Sequence, residues 1–261
     1  MRANPVAAAL RSGRSSFGTF VMEFRSPALA RIAATAGAEF IVFDQEHSGL
    51  GIDELRGILG AARAASIVPL VRIGALDHHA IGAALDLGAL GVMAPMVANA
   101  DQARALVEAS KYPPSGNRGF GILHDDEHDG NVSGYLRHMN HETLVIAQIE
   151  TVEGVSNAES IAAVEGIDVL WIGQYDLSIS LGEPGKFENP PFVEAVKEVV
   201  RCAEAHGKAA AVAGDDAEWL ASMATMGFRC LCFGHDLTLY RSALRAGLEE
   251  LRGTLASEVP V

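Results

Sequence analysis

Two carboxylates that follow apolar runs in the second half of the chain could together hold a metal ion. Glu150 follows the run LVIAQI, and Asp176 follows VLWIGQY. Carboxylate oxygens, with room left for water and substrate oxygens, suit Mg²⁺ or Mn²⁺. Either residue could instead cap the helix after it, because acidic side chains stabilise helix N-termini. If the two runs are neighbouring strands, their joint placement favours the metal site.

A histidine and an aspartate three residues apart form a second candidate group, in the segment DQEH at 44–47. Asp44 could hold the imidazole of His47 in one tautomer and raise its basicity, which makes His47 the leading general-base candidate. A histidine that is hydrogen-bonded into a loop is the alternative. Among the other histidines, only His235 follows a strand-like run and should share the same end of the fold.

Arg72, in the apolar run PLVRI, needs an anionic or oxygen partner because a guanidinium cannot shed its charge. A substrate carbonyl or enolate oxygen would serve, so Arg72 is a candidate for both catalysis and substrate binding. A structural salt bridge to Glu46 or Glu150 is the alternative.

The positions of the lysines help to decide whether a lysine or a metal ion would assist the formation or cleavage of a carbon–carbon bond. A Schiff-base mechanism needs a lysine inside the fold's central cavity. The four lysines fall instead on loops, on helices or at the beginning of a strand: Lys111, Lys186, Lys197 and Lys208. A metal ion would then have to act as the electron sink.

These candidates must be positioned by a chain in which short apolar runs alternate with helical patterns. The predicted strands cover residues 17–22, 40–44, 68–73, 90–95, 144–149, 168–173, 208–213 and 229–234. The predicted helices cover 26–36, 52–65, 77–87, 99–110, 151–163, 190–206, 216–226 and 236–251. Eight such units, with strands that are apolar throughout, predict an α/β fold, the closed (β/α)8 TIM barrel. The candidate groups would then converge on the mouth at the carboxyl ends of the strands.

Composition limits the classes of function. The chain has 261 residues, 49% hydrophobic, and a formal net charge of −13. This length fits one barrel domain spanning 1–261. The acidic balance argues against a nucleic-acid surface and favours a small-molecule partner. No apolar run approaches the roughly 20 residues needed to span a bilayer, so we expect no membrane association and a cytoplasmic protein.

One segment interrupts the alternation of strands and helices. Residues 111–142 are dominated by Pro, Gly, His and Asp, which predicts a long loop. A connection or oligomer contact and a lid are equally supported roles for it.

Six segments, in this order along the chain, match motifs of one enzyme family. They are DQEH at 44–47, VRI at 71–73, APMV at 94–97, KYPPSGNRG at 111–119, QIET at 148–151 and GQYDLS at 173–178. On these motifs the chain resembles the HpcH/HpaI family of class II 2-oxo-acid aldolases over nearly its whole length. The resemblance implies that Glu150 and Asp176 bind a divalent metal, Mg²⁺, Mn²⁺ or Co²⁺. It also implies that His47 with Asp44 is a catalytic dyad and that Arg72 stabilises an enolate.

The resemblance further implies a substrate site and an activity. Arg72, Gln148, Gly173 and the backbone amides of Tyr175 and Asp176 would bind substrate, the amides taking the pyruvate carboxylate. The implied reaction is reversible cleavage of a 4-hydroxy-2-oxo acid to pyruvate and an aldehyde through a metal-stabilised pyruvate enolate. The acidic segment HDDEHDG at 124–130 favours an electroneutral or hydroxylated aldehyde.

Two other functions remain open at this point. Decarboxylation of oxaloacetate or a related β-keto acid would use the same enolate. A non-catalytic metabolite-binding barrel is the alternative from another class. The family is commonly a hexamer, a trimer of dimers that exchange their last helix, so the resemblance implies that residues 236–251 pack on a neighbouring subunit.

Overall fold

Eight parallel strands close into a barrel in the computed structural model, which describes residues 2–121 and 130–257. The strands are β1 (Ser16–Val21), β2 (Phe40–Asp44), β3 (Val68–Arg72), β4 (Gly91–Ala94), β5 (Leu144–Ile149), β6 (Val169–Ile172), β7 (Ala209–Gly214) and β8 (Phe228–His235). Each strand pairs with the next in the chain, and β8 pairs with β1. The predicted (β/α)8 barrel is confirmed, and every predicted strand is present with its ends within one residue of the prediction.

Helices surround the barrel between the strands. They are α1 (Pro5–Arg11), α2 (Ala28–Thr35), α3 (Ile52–Ala64), α4 (His78–Asp86), α5 (Ala100–Ser110), α6 (Val132–Glu142), α7 (Val152–Ser156), α8 (Ala158–Ala162), α9 (Gln174–Ser180), α10 (Pro190–Ala205), α11 (Ala217–Thr225) and α12 (Asp236–Ser257). The single helix predicted over 151–163 is two short helices that meet at Asn157. Helices α1 and α9, with seven residues each, are not among the predicted helices, because so few residues give too little periodicity to recognise.

The prediction of a loop over 111–142 is wrong in its last third, where α6 forms. The helix begins after Asn131, whose side chain accepts a hydrogen bond from the amide of Gly134 at 3.0 Å. Tyr135 and Met139, four residues apart, lie buried on one face. This tertiary packing stabilises a helix whose polar composition hid it in the sequence. Residues 122–129, and with them most of the acidic segment HDDEHDG, lie outside the described residues.

The apolar core has two layers, as strands buried on both faces require. The layer inside the barrel includes Phe20, Phe40, Leu70, Met93, Ile146, Trp171, Cys230 and Cys232. The second layer fills the space between the strands and the surrounding helices. Helix α1 contributes Val6, Ala7 and Leu10 to the inner layer, which closes the barrel at the amino ends of its strands and leaves the opposite end as the mouth.

The last helix departs from the barrel. Helix α12 continues to Ser257, beyond the predicted end at residue 251, and every side chain from Leu239 to residue 256 is exposed. A stripe of leucines runs along it: Leu244, Leu248, Leu251 and Leu255. None of the helices within the described ranges is long and apolar enough to cross a membrane.

Candidate active site

The carboxyl ends of four strands bring the predicted polar residues to the mouth of the barrel. Asp44 ends β2 and Arg72 ends β3, and these two residues are paired in register. Glu150 follows β5 directly, and Asp176 lies in the first turn of α9, after β6. Because parallel strands of a barrel end on the same side, all four residues share one end of the molecule.

Arg72 is held by two carboxylates at this mouth. Its Nε donates to Asp44 Oδ1 at 2.6 Å, and one terminal nitrogen lies 3.1 Å from Glu46 Oε2. The guanidinium also lies over the ring of Phe20, with its carbon 5.0 Å from the ring centroid. The pair with Glu46 was one of the two alternatives left open by the sequence, whereas the closer pair with Asp44 was not anticipated. The register of β2 against β3 causes that contact.

The geometry of Asp44 and His47 differs from the dyad expected from their spacing. Asp44 is fully buried, and its carboxylate accepts the backbone amides of His47 at 2.9 Å and Glu46 at 3.1 Å. Together with Arg72, these donors occupy the carboxylate, so it orients the backbone of the turn rather than the imidazole. The His47 side chain is 60% exposed, and its Nε2 lies 3.6 Å from Glu46 Oε2. Glu46 is therefore the carboxylate that faces the ring, a contact that the sequence reasoning missed.

Glu150 is a buried carboxylate with neutral hydrogen-bond donors. Its Oε1 accepts the backbone amide of Met96 at 2.6 Å, and its Oε2 accepts the side-chain amide of Gln148. Burial raises the pKa of Glu150, an effect that the two hydrogen bonds oppose and the negative charges of Glu46 and Asp176 reinforce. Met96 adopts a φ of 56°, and its amide is the contact to Glu150 that the sequence reasoning did not identify.

Gly173 provides the space next to this carboxylate. A Cβ at this position would lie 2.2 Å from Glu150 Oε2 and 2.9 Å from Gln148 Nε2, so only glycine fits without displacing them. Gln148 Oε1 is buried and has no hydrogen-bond partner among the described residues. After Gly173, helix α9 begins, and Tyr175 and Asp176 are exposed in its first turn. The Tyr175 ring packs against Phe187 with a centroid distance of 5.1 Å.

The donor set at the mouth fits a hard divalent cation. Burial raises the pKa of Glu46, and the nearby charges of Asp44 and Asp176 act in the same direction against those of Arg72 and His47. A cluster of carboxylates with such mutual repulsion favours a cation. No three His, Cys, Asp or Glu side chains in residues 2–121 and 130–257 are grouped closely enough to hold a metal ion. An ion here would take two carboxylates and complete its shell with water and substrate oxygens, as Mg²⁺ commonly does.

None of the four lysines, all of which the structure describes, directly follows a strand, which is where the polar residues of this mouth lie. Lys111 is buried near the amino ends of β5 and β6, where its Nζ donates to the carbonyl oxygens of Asn140 at 2.7 Å and Thr143 at 2.5 Å. The other three lie outside the buried core. This placement agrees with the inference that none of them supplies a Schiff base.

Comparisons with known proteins find similar sequences and structures of one family. The profile of the HpcH/HpaI aldolase/citrate lyase family matches residues 17–243. A hydroxypyruvate/pyruvate aldolase from Delftia acidovorans is 36% identical over 98% of this chain and 95% of its own length. A 2-dehydro-3,6-dideoxy-6-sulfogluconate aldolase from Pseudomonas putida is 35% identical over 95% of this chain and 97% of its own length. The crystal structure of an HpcH/HpaI aldolase from Desulfitobacterium hafniense superposes with a TM-score of 0.90 at 31% identity, over 97% of this chain and 96% of that one.

Proposed function

The chain belongs to the HpcH/HpaI aldolase/citrate lyase family, and from that premise we propose that it is a metal-dependent pyruvate aldolase. It reversibly cleaves a 4-hydroxy-2-oxo acid to pyruvate and an aldehyde. The observation that carries the proposal is Arg72, which two carboxylates hold at the same mouth as Glu150 and Asp176. The names of the relatives favour an enzyme over a non-catalytic barrel.

Glu150 and Asp176 are the proposed metal ligands. A divalent ion held there, Mg²⁺, Mn²⁺ or Co²⁺, would stabilise the negative charge that develops on the 2-oxo group during bond cleavage. The hydrogen bonds from Met96 and Gln148 fix the Glu150 carboxylate in one orientation, which fits it for such a role. Gly173 supports the same assignment, because any side chain at that position would collide with this carboxylate.

Arg72 stabilises the enolate oxygen in this proposal. Its Nε and one terminal nitrogen are engaged by Asp44 and Glu46, so the guanidinium is fixed before substrate binds. A preorganised donor aimed at developing charge costs no reorganisation in the transition state. Asp44 acts through Arg72 and through the backbone of the turn at 45–47.

His47 is the proposed base that removes the proton from the C4 hydroxyl of the substrate. Its exposed ring can reach a water or a substrate hydroxyl, which supports this role. Glu46, 3.6 Å from its Nε2, would stabilise the protonated imidazole. Gln148 has an unpartnered carbonyl oxygen among the described residues and would orient the substrate. The first-turn amides of Tyr175 and Asp176 in α9 would bind the pyruvate carboxylate.

The proposal includes self-association through α12. Next to the beginning of this helix, an apolar groove of about 770 Å³ is lined by residues that include Phe17, Leu29, Ile32 and Phe233. Phe17, Ile32 and Phe233 are 55%, 52% and 43% exposed. The leucine stripe of α12 from a second copy would cover this groove, in the exchanged dimer that builds the proposed hexamer.

The test of the catalytic proposal is pyruvate release from several 2-oxo acids, with EDTA and with added Mg²⁺ or Mn²⁺. We expect metal-dependent release from 4-hydroxy-2-oxo acids such as 2-keto-3-deoxy sugar acids. Activity on oxaloacetate alone would favour the decarboxylase, since loss of CO₂ gives the same enolate without a base at C4. His47→Ala separates the two reactions, because it should abolish aldol cleavage and spare decarboxylation. Inactivity of the wild type on every compound would refute the proposal.

A further inference from the structure

Strand β8 carries a β-bulge opposite β1, just before it reaches the mouth. Gly18 pairs with Cys232, and Phe20 pairs with His235, so β8 has one residue more than β1 over this interval. Gly234 has a φ of 62°, in the left-handed region that favours glycine. A Cβ at Gly234 would also lie 2.8 Å from the side chain of Leu239. Glycine at position 234 therefore permits the bulge, which most other residues at this position would disfavour.

The bulge changes the direction of His235. Side chains alternate along a strand, and residues paired in register on neighbouring parallel strands face the same side of the sheet. Phe20 and Cys232 both belong to the apolar layer inside the barrel. Regular alternation from Cys232 would turn position 235 towards the outer helices. Because of the extra residue, His235 instead faces the barrel interior with Phe20, at the carboxyl end of β8.

The imidazole of His235 has an unmet hydrogen-bonding group. Its Nδ1 is buried and has no hydrogen-bond partner in the described part of the chain. The Asp236 carboxylate is 4.0 Å from this nitrogen, and it accepts the backbone amides of Met22, Glu23 and Phe24 at 2.5–2.9 Å. The side chain as a whole is 32% exposed, so the remainder of the ring reaches solvent at the mouth. Because Nδ1 is buried, the exposed remainder of the ring is the part that can contact a ligand at the mouth.

His235 lies on the side of the mouth that the proposed pyruvate site leaves open. The proposed metal ligands and the enolate-stabilising arginine come from β3, β5 and β6, whereas His235 ends β8. Its register partner Phe20 lies beneath the guanidinium of Arg72, 5.0 Å away. Because neighbouring strands are about 5 Å apart, the backbone of His235 lies about that far from the backbone of Phe20. The path from His235 through Phe20 to the guanidinium of Arg72 is therefore short enough for a small substrate to span. In the proposed arrangement pyruvate lies between Arg72 and Glu150, which leaves the β8 side of the mouth for the aldehyde half.

We propose that His235 is a specificity-determining residue, which hydrogen-bonds a hydroxyl group on the aldehyde half of the substrate. The inference rests on the proposed aldolase function and narrows its substrate class to uncharged, hydroxylated aldehydes. The second ring nitrogen, Nε2, donates or accepts a hydrogen bond according to the tautomer of the ring, and a hydroxyl group can be its partner in either case. On this side of the mouth, Asp215 follows β7 and accepts a hydrogen bond from Thr238 at 2.7 Å, and its negative charge disfavours an aldehyde with a distal carboxylate.

The test compares two aldehydes of equal chain length, glyceraldehyde and propanal, in aldol addition with pyruvate. His235→Phe keeps an aromatic ring and removes both nitrogens. We expect it to lower kcat/KM for glyceraldehyde about tenfold and to leave propanal within about twofold, as the loss of one hydrogen bond predicts. His235→Gln, which restores a donor and an acceptor, should recover part of the preference. The control His141→Phe changes an exposed histidine at the other end of the barrel and should behave as wild type.

A second measurement separates this inference from the proposed function. Exchange of the pyruvate methyl protons with solvent deuterium, followed by NMR, reports enolate formation without any aldehyde. We expect wild type and His235→Phe to exchange at equal rates. Equal losses on both aldehydes, no loss on either, or lost exchange in His235→Phe alone would overturn the role of His235. A wild type that neither exchanges pyruvate nor adds aldehydes would overturn the aldolase proposal and this inference with it.

Discussion

The carboxylate of Glu150 is buried at the end of β5, and the groups that donate hydrogen bonds to it are neutral. Its carboxylate contacts the amides of Met96 and Gln148, and burial raises its pKa. In the metal-free protein the ionised form is therefore disfavoured relative to the unfolded chain. A divalent cation would relieve this cost, as expected if Glu150 is a metal ligand.

The substitution Glu150→Gln tests this balance. We expect metal-dependent pyruvate release to fall at least 100-fold, because an amide cannot supply the ligand charge. We also expect the melting temperature in EDTA to be unchanged or higher, since a neutral amide costs less to bury than a carboxylate. Activity assays, calorimetric Mn²⁺ titration and thermal unfolding check the two effects separately.

The matched control is Glu153→Gln, an exposed glutamate three residues along the chain. It should retain both activity and Mn²⁺ binding. Full metal-dependent turnover by Glu150→Gln would remove Glu150 from the ligand set.

Whole elements of this fold differ in how well the sequence predicts them. The strands could be placed because runs such as FIVFD are buried on both faces and therefore apolar throughout. Helix α6 could not be predicted in the same way, because its stability depends on the burial of Tyr135 and Met139 against the barrel rather than on its own composition. The residues at the mouth could be predicted because they lie at the carboxyl ends of strands. The contacts of Asp44 could not be predicted, because its partner Arg72 belongs to another strand.

At the junction of α5, α6 and β5, buried Lys111 predicts a pH dependence of stability. Burial lowers its pKa from 10.5 to about 8, against the opposing charge of Asp168. Between pH 8 and 10.5 the unfolded chain then binds more protons than the folded one, so folding stability rises with pH in this window. The free energy of unfolding of wild type relative to Lys111→Met should increase by about 3 kcal/mol across it.

Urea denaturation of both proteins at several pH values from 7.5 to 10.5, a range chosen around the folded-state pKa of about 8, measures this difference. Lys186→Met removes an exposed lysine paired with Glu183 and serves as the control. Parallel stability curves for wild type and Lys111→Met would show that Lys111 keeps its ordinary pKa in the folded protein.

Helix α12 has an apolar face that the other described residues of the chain do not cover. Leu244 and Leu248 are 47% and 39% exposed, and the groove beside β1 has a similar excess of exposed apolar surface. Exposed apolar patches of this kind mark interaction sites. In the proposed dimer, a second copy would cover both surfaces at once, since exchanging α12 between two chains would pair each stripe with the partner's groove.

The double substitution Leu244→Glu with Leu248→Glu tests the exchange. We expect light scattering after gel filtration to give wild type a multiple of the 27.5 kDa chain mass and the variant a smaller assembly, because charges buried in an apolar groove are costly. Ser242→Glu with Ala246→Glu places the same charges on the opposite face of the helix and should leave the assembly intact. A wild type that elutes as a monomer, or a leucine variant with unchanged mass, would refute self-association through α12, and the exposed stripe would then require a different partner.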